Sequence, residues 1–272
     1  MSDGNPPVRL RACGAVGVIE LARPEMGNAL STAAYDRILA GLRGFEADGE
    51  VRAVLIRAEG RNFCTGADLG EVKRLRETEP QLRRFIEHGL TVLAALETSD
   101  LPVIVAVQGL CLAGGLELLL ACDIAFAAES ARFGDQHAQF GLIPGWGGTQ
   151  RLPAAVGLPR ALDLLFSARW IEAAVAAEWG LVNYVVGDDQ LNESALAYCR
   201  TLAGRSAAGL AAMKRLARRA KSGEMAAGLR KETRAVVSTL RGSDATEGLT
   251  AFEERRPPVF TGRNGVTPWD RD

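Results

Sequence analysis

Histidine is scarce in this chain of 272 residues, which contains only His88 and His137. The five cysteines form no Cys-x-x-Cys pair and lie mostly among small apolar residues. Structural zinc sites are usually built from closely spaced cysteines and histidines, so the sequence predicts no metal site. Unpaired cysteines of this kind are typical of buried thiols in a reducing compartment, and we expect a cytoplasmic protein.

An excess of either charge is also absent. The chain has 32 basic and 33 acidic residues and a formal net charge of -1, which argues against a nucleic-acid partner. Basic residues gather only in KRLARRAK, residues 214–221. We interpret this segment as a solvated helix face, with a local phosphate contact as the alternative.

No apolar run has the pattern of a membrane span. The longest one, from Leu101 to Ala128, contains Glu117, Asp123 and a Gly-Gly break, and therefore predicts a protein core. The N-terminal MSDGNPPV is polar and contains prolines, so we expect no signal peptide and no membrane partner. A length of 272 residues, 47% of them hydrophobic, suffices for one large domain or a domain with an appendage.

The order of apolar patterns predicts an α/β protein. Short apolar runs predict strands at 15–21, 51–56, 103–107 and 123–128, and helical spacing predicts helices after Ser31 and around 82–96. Alternating strands and helices are typical of an α/β core. Residues 132–150 have a loop-like pattern, and the remainder is almost wholly helical, with predicted helices at 160–166, 172–178, 191–203, 206–220, 224–240 and 244–254. We place a soft boundary near Gly204, giving regions 1–204 and 205–272.

The central segment of the predicted core is PVIVAVQGLCLAGGLELLLACD, residues 102–123. It has the pattern of a buried strand, a glycine turn and the first turn of a helix that contains Glu117. Unpaired amides at a helix start next to an acid can stabilise an anion during catalysis. The alternative is a glutamate that complements the helix dipole, beside glycines needed only for packing. This stretch alone does not decide between them.

Three segments together resemble the crotonase family, the enoyl-CoA hydratase/isomerase superfamily. They are NFCTGADL (62–69), VQGLCLAGGLELLLACDI (107–124) and FGDQHAQFGLIPGWGGTQRL (133–152), and the match continues in order along nearly the whole chain. The resemblance implies a core of repeated β-β-α units, followed by a C-terminal all-helical region that builds trimers, often paired into hexamers. It implies an acyl-CoA substrate, with CoA as part of the thioester and no separate cofactor.

The resemblance also implies the residues of the site. The thioester carbonyl is expected between the backbone amides of Ala67 and Gly114, which would stabilise an enolate oxygen. Asp68 has an alternative role as a turn carboxylate, which we prefer to catalysis. Arg255 matches a basic position that meets CoA phosphate, often from a neighbouring subunit; a solvated surface charge is the alternative. The path of CoA is expected along Arg23, Ala29, Thr65, Gly66, Ala67 and Asp68.

The sequence departs from the family pattern at one catalytic position. Hydratases of the family place two glutamates over the substrate; the first matches Glu117, whereas the second falls on His137. In an extended segment Asp135 would share a face with His137 and could orient its ring. Gly145 stands where the dienoyl-CoA isomerase branch has an aspartate, which argues against that chemistry.

The leading hypothesis is an enoyl-CoA hydratase-like lyase that adds water to a 2-enoyl-CoA. Glu117 would activate the water, and His137 or Glu117 itself would handle the α-carbon proton. The second hypothesis is another crotonase reaction, such as that of an isomerase, a decarboxylase, or a ring-cleaving or thioester hydrolase. The third is an acyl-CoA-binding protein that has lost catalysis.

Overall fold

A six-stranded sheet forms the centre of the fold in a computed structural model that describes residues 6–205, 207–219, 230, 233–234, 236–238 and 240–258. Its strand order is β1-β2-β3-β4-β6-β9. The first pair, β1 and β2, is antiparallel, and all other neighbours are parallel. The strands are β1 (Val8–Cys13), β2 (Val16–Leu21), β3 (Ala53–Ala58), β4 (Val103–Val107), β6 (Ile124–Ala128) and β9 (Tyr184–Val186).

A second, smaller sheet has three strands. It contains β5 (Leu110–Leu112), β7 (Arg132–Gly134) and β8 (Ile171–Glu172), in the order β5-β7-β8. A bridge between Cys64 and Cys111 continues it toward the chain that follows β3. Strand β4 is followed by β5 and then by a helix, and β6 is followed by β7 and, after a 3-10 turn, by a helix. This arrangement confirms the fold class expected from the resemblance.

Helices cover the sheet and make up most of the C-terminal part. Ser31 caps the first helix, as expected, by accepting a hydrogen bond from the Ala34 amide at 3.2 Å. None of the helices in the described ranges is both long enough and apolar enough to cross a membrane. The helices are α1 (Thr32–Ala47), α2 (Leu69–Leu75), α3 (Glu79–Thr98), α4 (Gly114–Leu120), α5 (Gly148–Val156), α6 (Leu158–Ser167), α7 (Ala173–Glu178), α8 (Leu191–Ala203), α9 (Ala207–Arg219) and α10 (Ser243–Glu253).

Most predicted elements agree with the structure to within a few residues, and the bounds of β4 and α8 agree in full. Other elements were missed: β1, β5, β8, β9, α2 and α5 were not predicted, and β7 and the start of α5 lie where a loop was expected. The helix predicted at 224–240 falls largely outside the described residues. The chain turns between α8 and α9, near the expected boundary at Gly204, but a division into two regions stays a prediction.

The interpretation of 214–221 as a solvated face was wrong for the two basic residues that contact the core. Lys214 lies 2.7 Å from the Asp123 carboxylate, and its side chain is only 9% exposed. Arg218 also reaches Asp123, at 2.7 Å. The carboxylate at the start of β6 makes this face of α9 a tertiary contact. Residues 220–221 lie outside the described ranges.

Helix α10 contacts the short 3-10 helix Ala138–Phe140, and a glycine makes this approach possible. A Cβ atom on Gly248 would overlap the carbonyl oxygen of Phe140. The rings of Phe140 and Phe252 meet edge to face, 5.5 Å apart. Gly248 is therefore required by contact with the backbone of the neighbouring segment.

We expect Gly248→Ala to destabilise the protein by about 1–3 kcal/mol, because backbone atoms must move to admit the methyl group. Gly44→Ala is the matched control: Gly44 also lies inside a helix, but a Cβ there meets nothing within 4 Å. That substitution should stabilise α1 by up to about 1 kcal/mol. Urea unfolding of both variants measures the difference, and equal effects would contradict the contact.

Candidate active site

A cavity of about 1040 Å³ lies between the central helix α4 and the C-terminal helices. Its wall includes Glu117 and His137, the loop that precedes α2, and apolar side chains of α3. The wall also contains residues of α2 and of the segment from Phe140 to Trp146. Most of the wall is apolar, and its apolar side chains include Phe85, Ile86, Leu142, Ile143, Val236 and Leu240.

Glu117 lies in the first turn of α4 and is 1% exposed. Its Oε1 accepts hydrogen bonds from the Trp146 amide at 2.7 Å and the Gly148 amide at 2.9 Å. Between these two donors Gly147 adopts a φ of 101°, which favours glycine. Donors aimed at a carboxylate compensate for the cost of burying it. The sequence 146–148 therefore holds an acid in place at the wall of the cavity.

The amides of Ala67 and Gly114 lie close together beside Glu117. A Cβ on Gly114 would lie 3.4 Å from the Ala67 nitrogen, and a Cβ on Gly66 would lie 3.6 Å from the Gly114 nitrogen. Neither amide donates a hydrogen bond to any residue that the structure describes. Two converging donors without acceptors can bind an oxygen that gains negative charge.

The Gly114-Gly115 pair is required by packing within the protein. A Cβ on Gly114 would lie 2.7 Å from Trp146 Cζ3, and a Cβ on Gly115 would overlap the Cys64 carbonyl oxygen. Before this pair, Ala113 adopts φ 49° and ψ -118°, a sparsely populated conformation for a residue with a side chain. Such strain is common at functional sites.

His137 contacts Asp135 as expected, but through different geometry. Its Nδ1 lies 3.0 Å from Asp135 Oδ1, and its amide donates to the same oxygen at 3.2 Å. The segment is a turn rather than extended, because Gln136 has φ 67° and His137 is helical. Asp135 is 1% exposed. Since a carboxylate only accepts, Nδ1 carries the hydrogen in this contact.

The residues expected along the CoA path divide into two groups. Ala29, Thr65, Ala67, Asp68 and Arg255 line the cavity, whereas Arg23, Gly66 and Gly114 are not among its described lining residues. Arg23 instead supports the wall, since it donates to Asp68 at 2.9 Å. Arg255 is exposed and lies in the same chain as the rest of the wall.

Asp68 caps helix α2, which is the role preferred from the sequence. Its side chain accepts a hydrogen bond from the Glu71 amide at 3.1 Å. Burial raises the pKa of Asp68, but hydrogen bonds from Arg23, Glu71 and Gly70, together with the charge of Arg23, outweigh it and hold the pKa below the usual value.

Sequence reasoning missed two features that surround Glu117. Tyr35, a buried residue of α1, lies close to the acid; burial, then the charge of Glu117, raise the pKa of its phenol. Its ring meets Trp146 edge to face at 5.0 Å. The second feature is the buried pair of Arg151 and Glu97, 2.6 Å apart. Neither left a local sequence pattern that identifies it.

No group of three or more potential ligands in the described part of the chain is arranged to hold a metal ion.

A buried acid next to two neighbouring backbone amides is typical of the class of enzymes that stabilise an oxyanion. Comparison with known proteins gives the family. The family model for enoyl-CoA hydratase/isomerase matches residues 11–263, and the chain belongs to this family, the crotonase superfamily.

Individual relatives agree with this assignment. A probable enoyl-CoA hydratase of Mycobacterium leprae is 38% identical over 248 residues, 91% of this chain and 95% of that protein. The mitochondrial methylglutaconyl-CoA hydratase of Mus musculus is 34% identical over 250 residues, 90% of this chain and 79% of that protein. The crystal structure of an enoyl-CoA hydratase from Mycobacterium avium subsp. paratuberculosis has a TM-score of 0.85 and 28% identity, covering 94% of this chain and 99% of that one.

The lowered pKa of Asp68 predicts a pH-dependent contribution to stability. The charged form is favoured in the folded state, so the contribution is complete above about pH 5 and is lost as the pH falls through about 3.9 and below. Asp68→Asn keeps an oxygen for the helix cap but loses the charge that pairs with Arg23. We expect it to cost about 1 kcal/mol or less at pH 7, and less at pH 3. Urea unfolding at both pH values tests this, and a cost independent of pH would contradict it.

Proposed function

We propose that this protein hydrates 2-enoyl-CoA thioesters to 3-hydroxyacyl-CoA. The observation that carries the proposal is a buried glutamate held by two loop amides, next to a second pair of amides with no described acceptor. Hydration requires both parts: a base for water and donors for the thioester oxygen. Several relatives are named as hydratases of CoA thioesters, which supports the same reaction here.

The thioester carbonyl would accept hydrogen bonds from the amides of Ala67 and Gly114. When water attacks the β-carbon, electron density moves through the double bond onto this oxygen and forms an enolate. Fixed donors stabilise the enolate more than the ground state, because its oxygen has the larger negative charge. Loss of one such donor typically lowers the rate about 100-fold or more.

Glu117 would accept a proton from water while the water oxygen bonds to the β-carbon. The enolate would then take one proton at the α-carbon, so that one whole water is added. Either Glu117 returns the proton that it received, or a protonated His137 supplies one from Nε2, and the proton taken up by Glu117 is then passed back to His137 to restore both groups. In both cases Trp146 and Gly148 hold the Glu117 carboxylate in place through their amides.

Asp135 would keep the His137 ring in the tautomer that presents Nε2 to the cavity. A histidine titrates near neutral pH and can therefore exchange protons in both directions at physiological pH. The presence of His137 in place of a second glutamate also favours a second candidate function, which is another reaction through the same enolate. A changed acid–base group around an unchanged pair of amides can give isomerisation, decarboxylation or hydrolysis.

Gly145 gives this site no further carboxylate. A Cβ on Gly145 would lie 3.1 Å from Val236 Cγ2 and 3.3 Å from Ile86 Cδ1. An aspartate there would be pressed against apolar groups, at a high cost in desolvation. The apolar wall around it favours an uncharged acyl group as the substrate. CoA would enter as part of that substrate, with no separate cofactor.

The expected trimer or hexamer belongs to this proposal as well. Leu158, Phe166 and Trp170 are large apolar residues that lie exposed on or just after α6, and Phe166 is 75% exposed. Exposed apolar side chains grouped in this way are typical of protein–protein contacts. A cytoplasmic location, expected from the cysteines, also stays a prediction.

The first test is the loss of enoyl-thioester absorbance with crotonyl-CoA and longer 2-enoyl-CoAs. Glu117→Gln keeps an oxygen for the two loop amides but removes the base, and should lower kcat about 100- to 10,000-fold without changing the urea midpoint. His137→Ala should lower kcat about 100-fold or more if His137 supplies the α-carbon proton, and should have little effect if Glu117 does.

Glu193→Gln serves as the matched control, because Glu193 is exposed on α8 and pairs only with Arg200 in the described structure. It should retain full activity. Full activity in Glu117→Gln would refute the mechanism. If wild type does not hydrate any enoyl-CoA, release of free CoA or carbon dioxide from a panel of acyl-CoAs would support the second candidate function. Tight binding with no turnover of any substrate would instead indicate a binding protein.

Light scattering at micromolar protein concentration tests the oligomer. We expect the mass of a trimer or hexamer of a 29.0 kDa chain. Phe166→Asp should shift the mass toward the monomer, because it puts a charge into the apolar contact. A wild-type monomer would contradict the oligomer proposal while leaving the assignment of the catalytic residues intact.

A further inference from the structure

The loop that holds Glu117 is itself held by a buried arginine. The Trp146 amide donates to Glu117 Oε1 at 2.7 Å, and the Trp146 carbonyl oxygen accepts a hydrogen bond from Arg151 Nη1 at 2.5 Å. One residue of the loop thus contacts the acid on one side and a guanidinium on the other. Arg151 also closes the start of α5, because its amide donates to the Gly147 carbonyl at 2.8 Å.

Arg151 is fixed by a two-point contact with α3. Its Nε donates to Glu97 Oε1 at 2.9 Å, and its Nη2 donates to Glu97 Oε2 at 2.6 Å. The Arg151 side chain is 3% exposed and that of Glu97 is 18% exposed. A fork-to-fork pair of this kind restricts the guanidinium to one plane, which a lysine cannot reproduce.

The same carboxylate connects Arg151 to the C-terminal helix α9. Arg218 donates to Glu97 Oε1 at 3.1 Å and to Asp123 Oδ1 at 2.7 Å. Lys214 completes the group: it contacts Asp123 Oδ2 at 2.7 Å and donates to the carbonyl oxygens of Leu96 and Leu101. Three cationic and two anionic side chains therefore alternate along a path from α9 to the loop that holds Glu117.

We infer that Arg151 is a positioning residue for Glu117, which it fixes through the Trp146 peptide, and that Glu97 and Arg218 fix Arg151 in turn. The inference rests on the proposed function, because it assigns Arg151 a part in turnover. Arg151 itself does not line the cavity among the described residues, so its effect on the substrate passes through the loop. Misplacing a reacting group by about 1 Å can cost about 100-fold in rate.

If the same ion pairs had only a structural role, the variants would be expected to behave differently. Burying an ion pair stabilises a fold weakly, and removing one partner leaves a buried charge. A structural role alone would lower the free energy of unfolding, but each folded molecule would turn over at the normal rate. A positioning role lowers kcat while KM stays nearly unchanged, because Arg151 does not contact the thioester.

The test combines three variants with a matched control. Arg151→Met should lower kcat about 10- to 100-fold with KM within about twofold. Arg151→Lys should recover part of kcat. The kcat of Glu97→Gln should lie between that of Arg151→Lys and that of wild type. Arg200→Met is the control, because Arg200 is an exposed arginine on α8 and pairs with Glu193. It should match wild type.

Crystal structures of wild type and the variants give a readout that does not depend on hydration. The distance from Glu117 Oε1 to the Trp146 nitrogen should stay below about 3.2 Å in wild type and lengthen in Arg151→Met. Normal kcat per folded molecule with Glu117 in place would overturn the inference. If Arg151→Met does not fold, Arg151→Lys and Glu97→Gln decide. If wild type hydrates nothing, the proposed function fails, and the Glu117 position still decides the inference.

Discussion

The burial of one carboxylate constrains much of this structure. Glu117 is almost fully enclosed, and two loop amides provide donors to its Oε1. To present both amides to one oxygen, the loop needs a left-handed residue at Gly147 and no side chain at Gly148, where a Cβ would lie 2.8 Å from Pro144. Gly147 and Gly148 therefore follow from the geometry of anion binding.

Trp146 transmits this constraint to the rest of the core. Its indole lies against Gly114 and Gly89, so that a Cβ on Gly114 would lie 2.7 Å from the ring and a Cβ on Gly89 would overlap it. Phe85 and Tyr35 contact the same ring edge to face. The residue whose amide binds Glu117 thus also joins α1, α3 and α4. Precise placement of the acid and packing of the core depend on the same side chain.

The fold was largely predictable because its long elements have clear periodicity. The run from Val103 to Val107 is apolar without interruption, and α3 repeats its apolar residues at helical spacing. The small sheet was not predictable in this way, because β5 and β7 have three residues each and β8 has two. Strands of this length form only once the loops that contain them are already brought together by the large sheet.

The candidate site was predictable where its residues lie within a continuous segment. Glu117, His137 and Ala67 each stand in one of the three segments that resemble the family. By contrast, Arg151 and Glu97 are separated by 54 positions in the sequence. Nothing in the local pattern of either residue indicates the other. The Asp135–His137 contact was expected from alternation along a strand, whereas it forms through the left-handed Gln136.

The histidine at position 137 changes the electrostatics of the site more than its shape. Two carboxylates that face one water repel each other, and one of them must be protonated for both to remain buried. A neutral imidazole would not repel a buried carboxylate in this way. The contact between His137 Nδ1 and Asp135 fixes the orientation of the ring in the wall that also contains Glu117.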